Sequence, residues 1–296
     1  MDPVKKSLIS LHFTVVLLGA TALFSKIIPL SAIDITFGRS IVACLMLVVI
    51  LKLTKHKIRL HSKKDYGIAL ILGLLMAAHW VTYFAAMQYS SVSVGMIALF
   101  TFPVITVLLE PFFEKIRLVW QDLFSALIVL FGICLIVPEI SLDNDVTLGI
   151  VIGVVSALLY ALRNLIHRKH FSHYSGAHAM AYQTLVIFVC LSFFSSEQLF
   201  TADKHTYIWL VVLGTFLTAL PHALIAASLR HLRAKTFSLV ACMQPFWGTI
   251  MAIVILNEQP NWQTFLGGVL VISAAIYETI SAQKLHGKQS RTSQGR

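Results

Sequence analysis

Two stretches of this chain, Pro103–Gln121 (PVITVLLEPFFEKIRLVWQ) and Pro245–Gln263 (PFWGTIMAIVILNEQPNWQ), open on a proline and close on the pair Trp-Gln. The pattern P-x16-W-Q therefore occurs twice, 142 residues apart. The same shift sets Lys26 against Arg168, Ala85 against Ala227, and the small-residue run SALIVLFG (125–132) against GGVLVISA (267–274). The second proline lies in an apolar run, 236–256, that carries no charged residue. Gln244 and Trp247 stand astride it, and their counterparts in the first copy are Phe102 and Ile105. The shared prolines read as architecture, and the unshared glutamine and tryptophan as what distinguishes the second copy from the first.

Composition sets the solvent. Of 296 residues, 57% are hydrophobic and 12% charged, and the mean hydropathy is +0.81; soluble domains carry about 25% charged residues. A helix crossing a bilayer needs about 20 mostly apolar residues. Ten such spans are expected: 8–30, 35–53, 66–87, 92–113, 118–137, 146–166, 177–194, 207–229, 236–256 and 262–280. Loops this short make consecutive helices antiparallel neighbours, and the runs lack the alternation that a membrane barrel requires. Lys5 and Lys6 before an apolar run, with Ala20-Thr21-Ala22, imitate a cleaved leader. The run continues to Leu30, so a first membrane helix is expected instead.

The expected fold is an all-α integral membrane protein. Its first repeat covers residues 1–140 (spans 1–5), its second 146–282 (spans 6–10), and 283–296 form a tail. Five is odd, so the second repeat enters the membrane inverted relative to the first, an architecture of secondary transporters with the site at the repeat interface.

Lysine and arginine mark cytoplasmic loops. With the N-terminus inside, 20 of the 23 basic residues fall on the cytoplasmic side, including Lys115, Arg117, Arg230, Arg233 and Lys235. Lys26 and Lys204 fall outside, with Glu139, Asp143, Asp145, Glu197 and Asp203, and Arg39 begins the second span. Both termini are thus expected in the cytoplasm, in a multi-pass protein of the cytoplasmic (inner) membrane. The net charge of +10 follows from this topology, and no nucleic-acid partner is expected. Cys44, Cys134, Cys190 and Cys242 all lie in apolar runs without CxxC spacing, so neither disulfide nor metal is expected.

At SSVSVGMIALFTFPVITVLLEPFFEKIRL (90–118) and RAKTFSLVACMQPFWGTIMAIVILNEQPNWQTFLGGVLVISAAI (233–276), the chain resembles the drug/metabolite transporter superfamily, in its ten-span group built from two EamA domains. The shared features are a small or polar run, a proline within the fourth span of the repeat, a glutamate just after it, and a small-residue-rich fifth span. Pro245 and Glu258 stand 13 apart, as in the family pattern, and Pro103 and Glu114 stand 11 apart. Arg39 also resembles an arginine common there. The resemblance implies a basket in which spans 1–4 and 6–9 surround a cavity, and a substrate among small organic solutes, amino acids included.

Polar groups within hydrocarbon are costly and face the bundle interior. The substrate-binding candidates are His79, Trp80 and Tyr83 of span 3; Tyr160 and Asn164 of span 6; Thr218 and His222 of span 8; and Gln244 and Trp247 of span 9. His178, Tyr182 and Gln183 of span 7 are further polar residues, and Met76 and Met87 extend the stripe of His79 and Tyr83. For each histidine and glutamine the competing reading is a helix-to-helix hydrogen bond. Arg163 and Arg39 are candidate anion or headgroup contacts; snorkelling competes for Arg163. Pro103 and Pro245 are candidate hinges at matched positions, with a packing kink as the alternative. Gly149 and Gly153 make a GxxxG for close helix contact. Trp120, Trp209 and Trp262, at span ends, read as interfacial belt residues. Glu110 and Glu278 are expected to snorkel to the cytoplasmic surface.

No HExxH, GxSxG or paired intramembrane aspartates occur, so no enzyme, catalytic residue or cofactor is expected. The expected function is secondary transport of small organic solutes, amino acids or drug-like metabolites, by alternating access and in the export direction. Protons or a counter-substrate are the candidate coupling partners. The alternatives are a nucleotide-sugar or organic-phosphate exchanger of the same superfold, and a non-transporting scaffold or sensor.

Overall fold

The computed structural model describes residues 3–55, 58–113, 120–136, 143–228, 241–274 and 276–277. Glu114, Glu139, Glu278, Lys115, Arg117, Arg230, Arg233, Lys235 and the 283–296 tail lie outside the described residues. Every regular element among the described residues is helical: α1 (Pro3–Thr21), α2 (Phe24–Ile27), α3 (Ala32–Leu53), α4 (Lys63–Tyr89), α5 (Val92–Leu99), α6 (Phe102–Phe113), α7 (Trp120–Ile136), α8 (Asp145–His170), α9 (Gly176–Leu191), α10 (Glu197–Phe200), α11 (Lys204–Gly214), α12 (Leu220–Ser228), α13 (Gln244–Leu256) and α14 (Trp262–Ala274). Among the described residues, four stretches are long and apolar enough to cross a membrane: Lys6–Ile27, Ala32–Leu53, Lys63–Tyr89 and Asp145–His170. Large apolar side chains such as Leu45, Leu127, Val189 and Val254 face outward, the arrangement that lipid rather than water permits.

Helix starts recur along the chain. Pro3 pairs with Asp145, Ala32 with Gly176, Lys63 with Lys204, Phe102 with Gln244, and Trp120 with Trp262, every pair 141 to 144 residues apart. The two copies interlock: α4 packs on α8 and α9, α3 on α9, α6 on α8, and α1 on α13.

Several expected spans are not single helices. The expected span 92–113 breaks at Phe100 and Thr101, because Pro103 has no N–H to offer the Leu99 carbonyl. The Phe100 N–H turns back to Met96 O at 3.0 Å, and Thr101 Oγ1 donates to Ala98 O at 2.8 Å. Pro245 sits at the corresponding place, second in α13 after a turn at residues 242–243, where a missing N–H costs no helical bond. The expected span 8–30 turns at Ala22 and Leu23 and ends with α2. The expected span 207–229 contains a π-helical turn, Thr215–Ala219, in which Thr218 Oγ1 donates five residues back to Leu213 O at 2.8 Å.

Carboxylates tie the helices together, and the sequence reading overlooked one of them. Asp34, fully buried in the first turn of α3, accepts from the Ser196 N–H (2.9 Å), the Ser196 hydroxyl (2.8 Å) and the Ser31 hydroxyl (2.7 Å). Glu258 reaches from the end of α13 to the start of α5, where the Val92 N–H (2.6 Å), the Ser93 N–H (3.1 Å) and the Ser93 hydroxyl (2.8 Å) donate to it. Glu110 does not snorkel: it is buried and ion-paired with Arg168. At the start of α11 the hydroxyl and N–H of Thr206 hold the Asp203 carboxyl below the usual carboxylate range.

Candidate functional site

Three helix faces converge. On α3 the residues Ile35, Arg39, Ala43, Leu47 and Leu51 recur every four positions and are all buried, so Arg39 is carried inside by a stripe that is otherwise apolar. On α4 the stripe Met76, His79, Tyr83 and Met87 is likewise buried, with Trp80 beside it. On α8 the stripe begins with Gly149 and Gly153 and continues through Ser156, Tyr160 and Arg163.

The glycines set how near these faces come. A Cβ built on Gly149 would stand 2.8 Å from Ala86 O, and one on Gly153 2.7 Å from the Ala98 Cβ. Only bare backbone fits there, and the close approach delivers the rest of the α8 stripe to α4. His79 Nδ1 lies 3.1 Å from Ser156 O and 2.9 Å from Ser156 Oγ, while the Ser156 hydroxyl donates to His79 O at 3.0 Å. A carbonyl oxygen only accepts, so Nδ1 carries the proton that it donates to Ser156. Tyr160 stacks on His79 (ring centroids 4.6 Å, 23°) and receives the edge of Phe102 (4.9 Å, 78°).

Arg39 lies against these aromatics. Its guanidinium sits 3.9 Å from the Trp80 ring centroid and 5.3 Å from that of Phe84. The Tyr83 hydroxyl donates to Met96 Sδ at 3.6 Å. Arg163, expected either to bind an anion or to snorkel, turns inward: Nε donates to Gln183 Oε1 at 2.8 Å and Nη1 to Asn164 Oδ1 at 2.9 Å. Gln183 is fully buried and held by its own donation to Ala179 O at 3.0 Å. His222 Nδ1 donates to Thr218 O at 2.6 Å. Both His79 and His222 lie within charge–charge range of Arg39 and Arg163.

The structure thus brings together His79, Trp80, Tyr83, Tyr160, Asn164, Arg39 and Arg163, with Thr218 in the π-helical turn and His222 bonded to it from α12. Gln244 and Trp247 belong to a different contact. Gln244 Nε2 reaches Leu18 O at 3.5 Å, and Trp247 packs with Leu11 and Val15 of α1, where Gly19 and Gly248 let the two helices touch. His178 and Tyr182 contact the Ile58 carbonyl at 2.7 and 3.0 Å. Sequence reasoning missed Ser156 and Phe102. Ser156 was signalled by its place on the Gly149–Gly153–Tyr160 stripe, and Phe102 by its register match to Gln244.

The sequence profile of an EamA-like transporter family matches residues 5–137 and again 147–278. The chain belongs to the EamA-like transporter family. Homologues are named transporters: an uncharacterized transporter, YxxF, of Bacillus subtilis (strain 168) is 25% identical over 98% of this chain and 93% of its own. A biotin transporter of Escherichia coli (strain K12) is 23% identical over 73% of this chain and 75% of its own. A solved crystal structure with 13% identity superposes with a TM-score of 0.64 over 93% of this chain and 98% of the other, which shows a shared fold. In this EamA-like transporter, the glutamate that follows the second-copy proline is the cap on α5.

Proposed function

We propose that this EamA-like transporter is a secondary transporter of the cytoplasmic membrane that exports small organic solutes, amino acids or drug-like metabolites, by alternating access. In this reading two inverted five-span repeats, 1–140 and 146–282, rock about the breaks at Pro103 and Pro245, with both termini in the cytoplasm. The observation that carries it is the cluster of His79, Trp80, Tyr83, Tyr160, Arg39 and Arg163 inside the helix bundle. Intramembrane polar groups mark solute paths, and an aromatic, weakly polar lining suits amphipathic solutes. An organic-phosphate exchanger would want several uncommitted cations; Arg163 already donates to Gln183 and Asn164.

The test is flux in proteoliposomes with and without a pH gradient. Solute movement above that of protein-free vesicles supports transport, and dependence on the gradient assigns protons as the coupling ion. No movement of any solute favours the scaffold or sensor reading. Gln244→Ala and Trp247→Ala are each expected to slow flux about tenfold, the factor that about 1.4 kcal/mol of lost interaction carries, with membrane insertion unchanged. Wild-type flux in both would remove the α1–α13 contact from the transport cycle.

A further inference from the structure

Among the described residues, Arg39 is the one whose buried side-chain donors the bundle leaves unpaired. It is 3% exposed, and its Nε and Nη1 have no hydrogen-bond partner among the described residues. A guanidinium carries five N–H donors and no acceptor, and it stays charged. Burying such a charge without an acceptor is strongly unfavourable.

The described carboxylates near the bundle core are committed elsewhere. Asp34, on the same helix, is occupied by Ser196 and Ser31; Glu258 caps α5; Glu110 pairs with Arg168. The Trp80 face covers one side of the guanidinium plane at 3.9 Å, which offsets part of the desolvation but accepts no N–H bond. Arg163 is the contrast within the same region. Its donors meet Gln183 Oε1, Asn164 Oδ1 and Met180 Sδ, so the fold supplies acceptors where it wants a structural arginine. At Arg39 it supplies a platform and leaves Nε and Nη1 without acceptors among the described residues.

We propose that Arg39 is the docking group for a carboxylate carried by the transported solute, so that the substrate class is small organic acids, amino-acid zwitterions included. A carboxylate accepts two parallel N–H bonds from one guanidinium edge, the pairing that planar fork geometry favours. The apolar body of the solute lies against Trp80, Phe84 and Tyr83, and His79 Nε2 accepts from a donor on the same molecule. A phosphate dianion fits less well, because the second cation of the region is already engaged. The inference rests on the transport reading, and it narrows that reading to one ionic class.

The experiment measures flux into proteoliposomes holding the full-length protein. One mixture contains the protein amino acids and biotin as free acids, and the other contains the same compounds as primary amides; mass spectrometry reads both. The expected result is that one or more acids move at least tenfold faster than their amides. Arg39→Gln is expected to abolish that preference while amide flux persists, and Arg39→Lys to restore part of it. Equal flux of acids and amides in the wild type, or an acid preference that survives Arg39→Gln, overturns the proposal and leaves transport standing. No flux of any member above protein-free vesicles overturns the transport reading and this inference with it. Should Arg39→Gln not elute as a monodisperse species, the wild-type acid-to-amide ratio decides alone.

Discussion

Gly149→Leu is expected to abolish recovery of folded protein in detergent, whereas Gly67→Leu leaves yield and melting temperature as they are. The difference is the space each side chain would enter. A Cβ on Gly149 would meet the Ser90 Cβ at 2.7 Å and Ala86 O at 2.8 Å, while one on Gly67 would meet nothing within 4 Å. Neither neighbour of Gly149 is free to move. Ala86 O accepts the Ser90 N–H at 3.1 Å and the Ser90 hydroxyl at 2.6 Å, closing the last turn of α4. Overpacking a fitted contact costs about 1 to 3 kcal/mol and more where backbone must shift; a leucine adds three further carbons, so about 3 kcal/mol is a floor for the variant. Size-exclusion chromatography of a fluorescent fusion, with a thermal melt, reads the result. The consequence extends to the site, because α8 pushed off α4 carries Ser156 and Tyr160 away from His79. Whatever Gly149→Ala protein survives is therefore expected to transport more slowly than its stability alone predicts. Normal yield of Gly149→Leu would mean that α8 and α4 are not held at the distance the structure gives.

The site was legible in the sequence wherever a polar residue stood on an otherwise apolar face. His79 and Tyr83 announced themselves by four-residue spacing with Met76 and Met87, and Arg39 by being a charge inside a span. What the sequence did not reveal was which polar groups satisfy one another. Arg163 and Gln183 are 20 residues apart and on different helices, and only packing of α8 against α9 shows that one answers the other. Asp34 looked like a residue before a span because hydropathy alone does not register a capped first turn. Ser31 and Ser196 make a buried acid tolerable there, and Ser196 is 162 residues away. Helix breaks were half legible. Pro103 and Pro245 were read as hinges within continuous spans, yet each stands second in a helix, since the simplest relief for a missing N–H is to place it in the first turn, where no intrahelical bond is lost. The repeat was the most legible feature, because helix starts depend on local punctuation that both copies kept.

Glu258→Ala is expected to destabilise the protein by about 3 kcal/mol, the cost of stranding two buried N–H groups at about 1 to 3 kcal/mol each. The first turn of a helix has N–H groups with no partner inside it. In α5 the Val94 N–H is met by Ser91 Oγ at 3.1 Å, but those of Val92 and Ser93 depend on Glu258. Both residues are fully buried with the half-buried Glu258 side chain over them, so the carboxylate is the group that reaches their N–H groups. The negative charge adds to the effect, since a helix N-terminus bears partial positive charge. Glu258→Gln keeps one acceptor oxygen and turns the other position into a donor facing an N–H, so it is expected to lose about half as much. Glu197→Ala, an exposed acid in the first turn of α10, is the control and is expected to change little. Thermal melts of the three variants in one detergent separate them. The order Ala, Gln, control in decreasing cost requires that the carboxylate act as a cap; equal losses for Ala and Gln would mean that charge alone, and not the pair of accepted hydrogen bonds, ties the second copy of the repeat to the first.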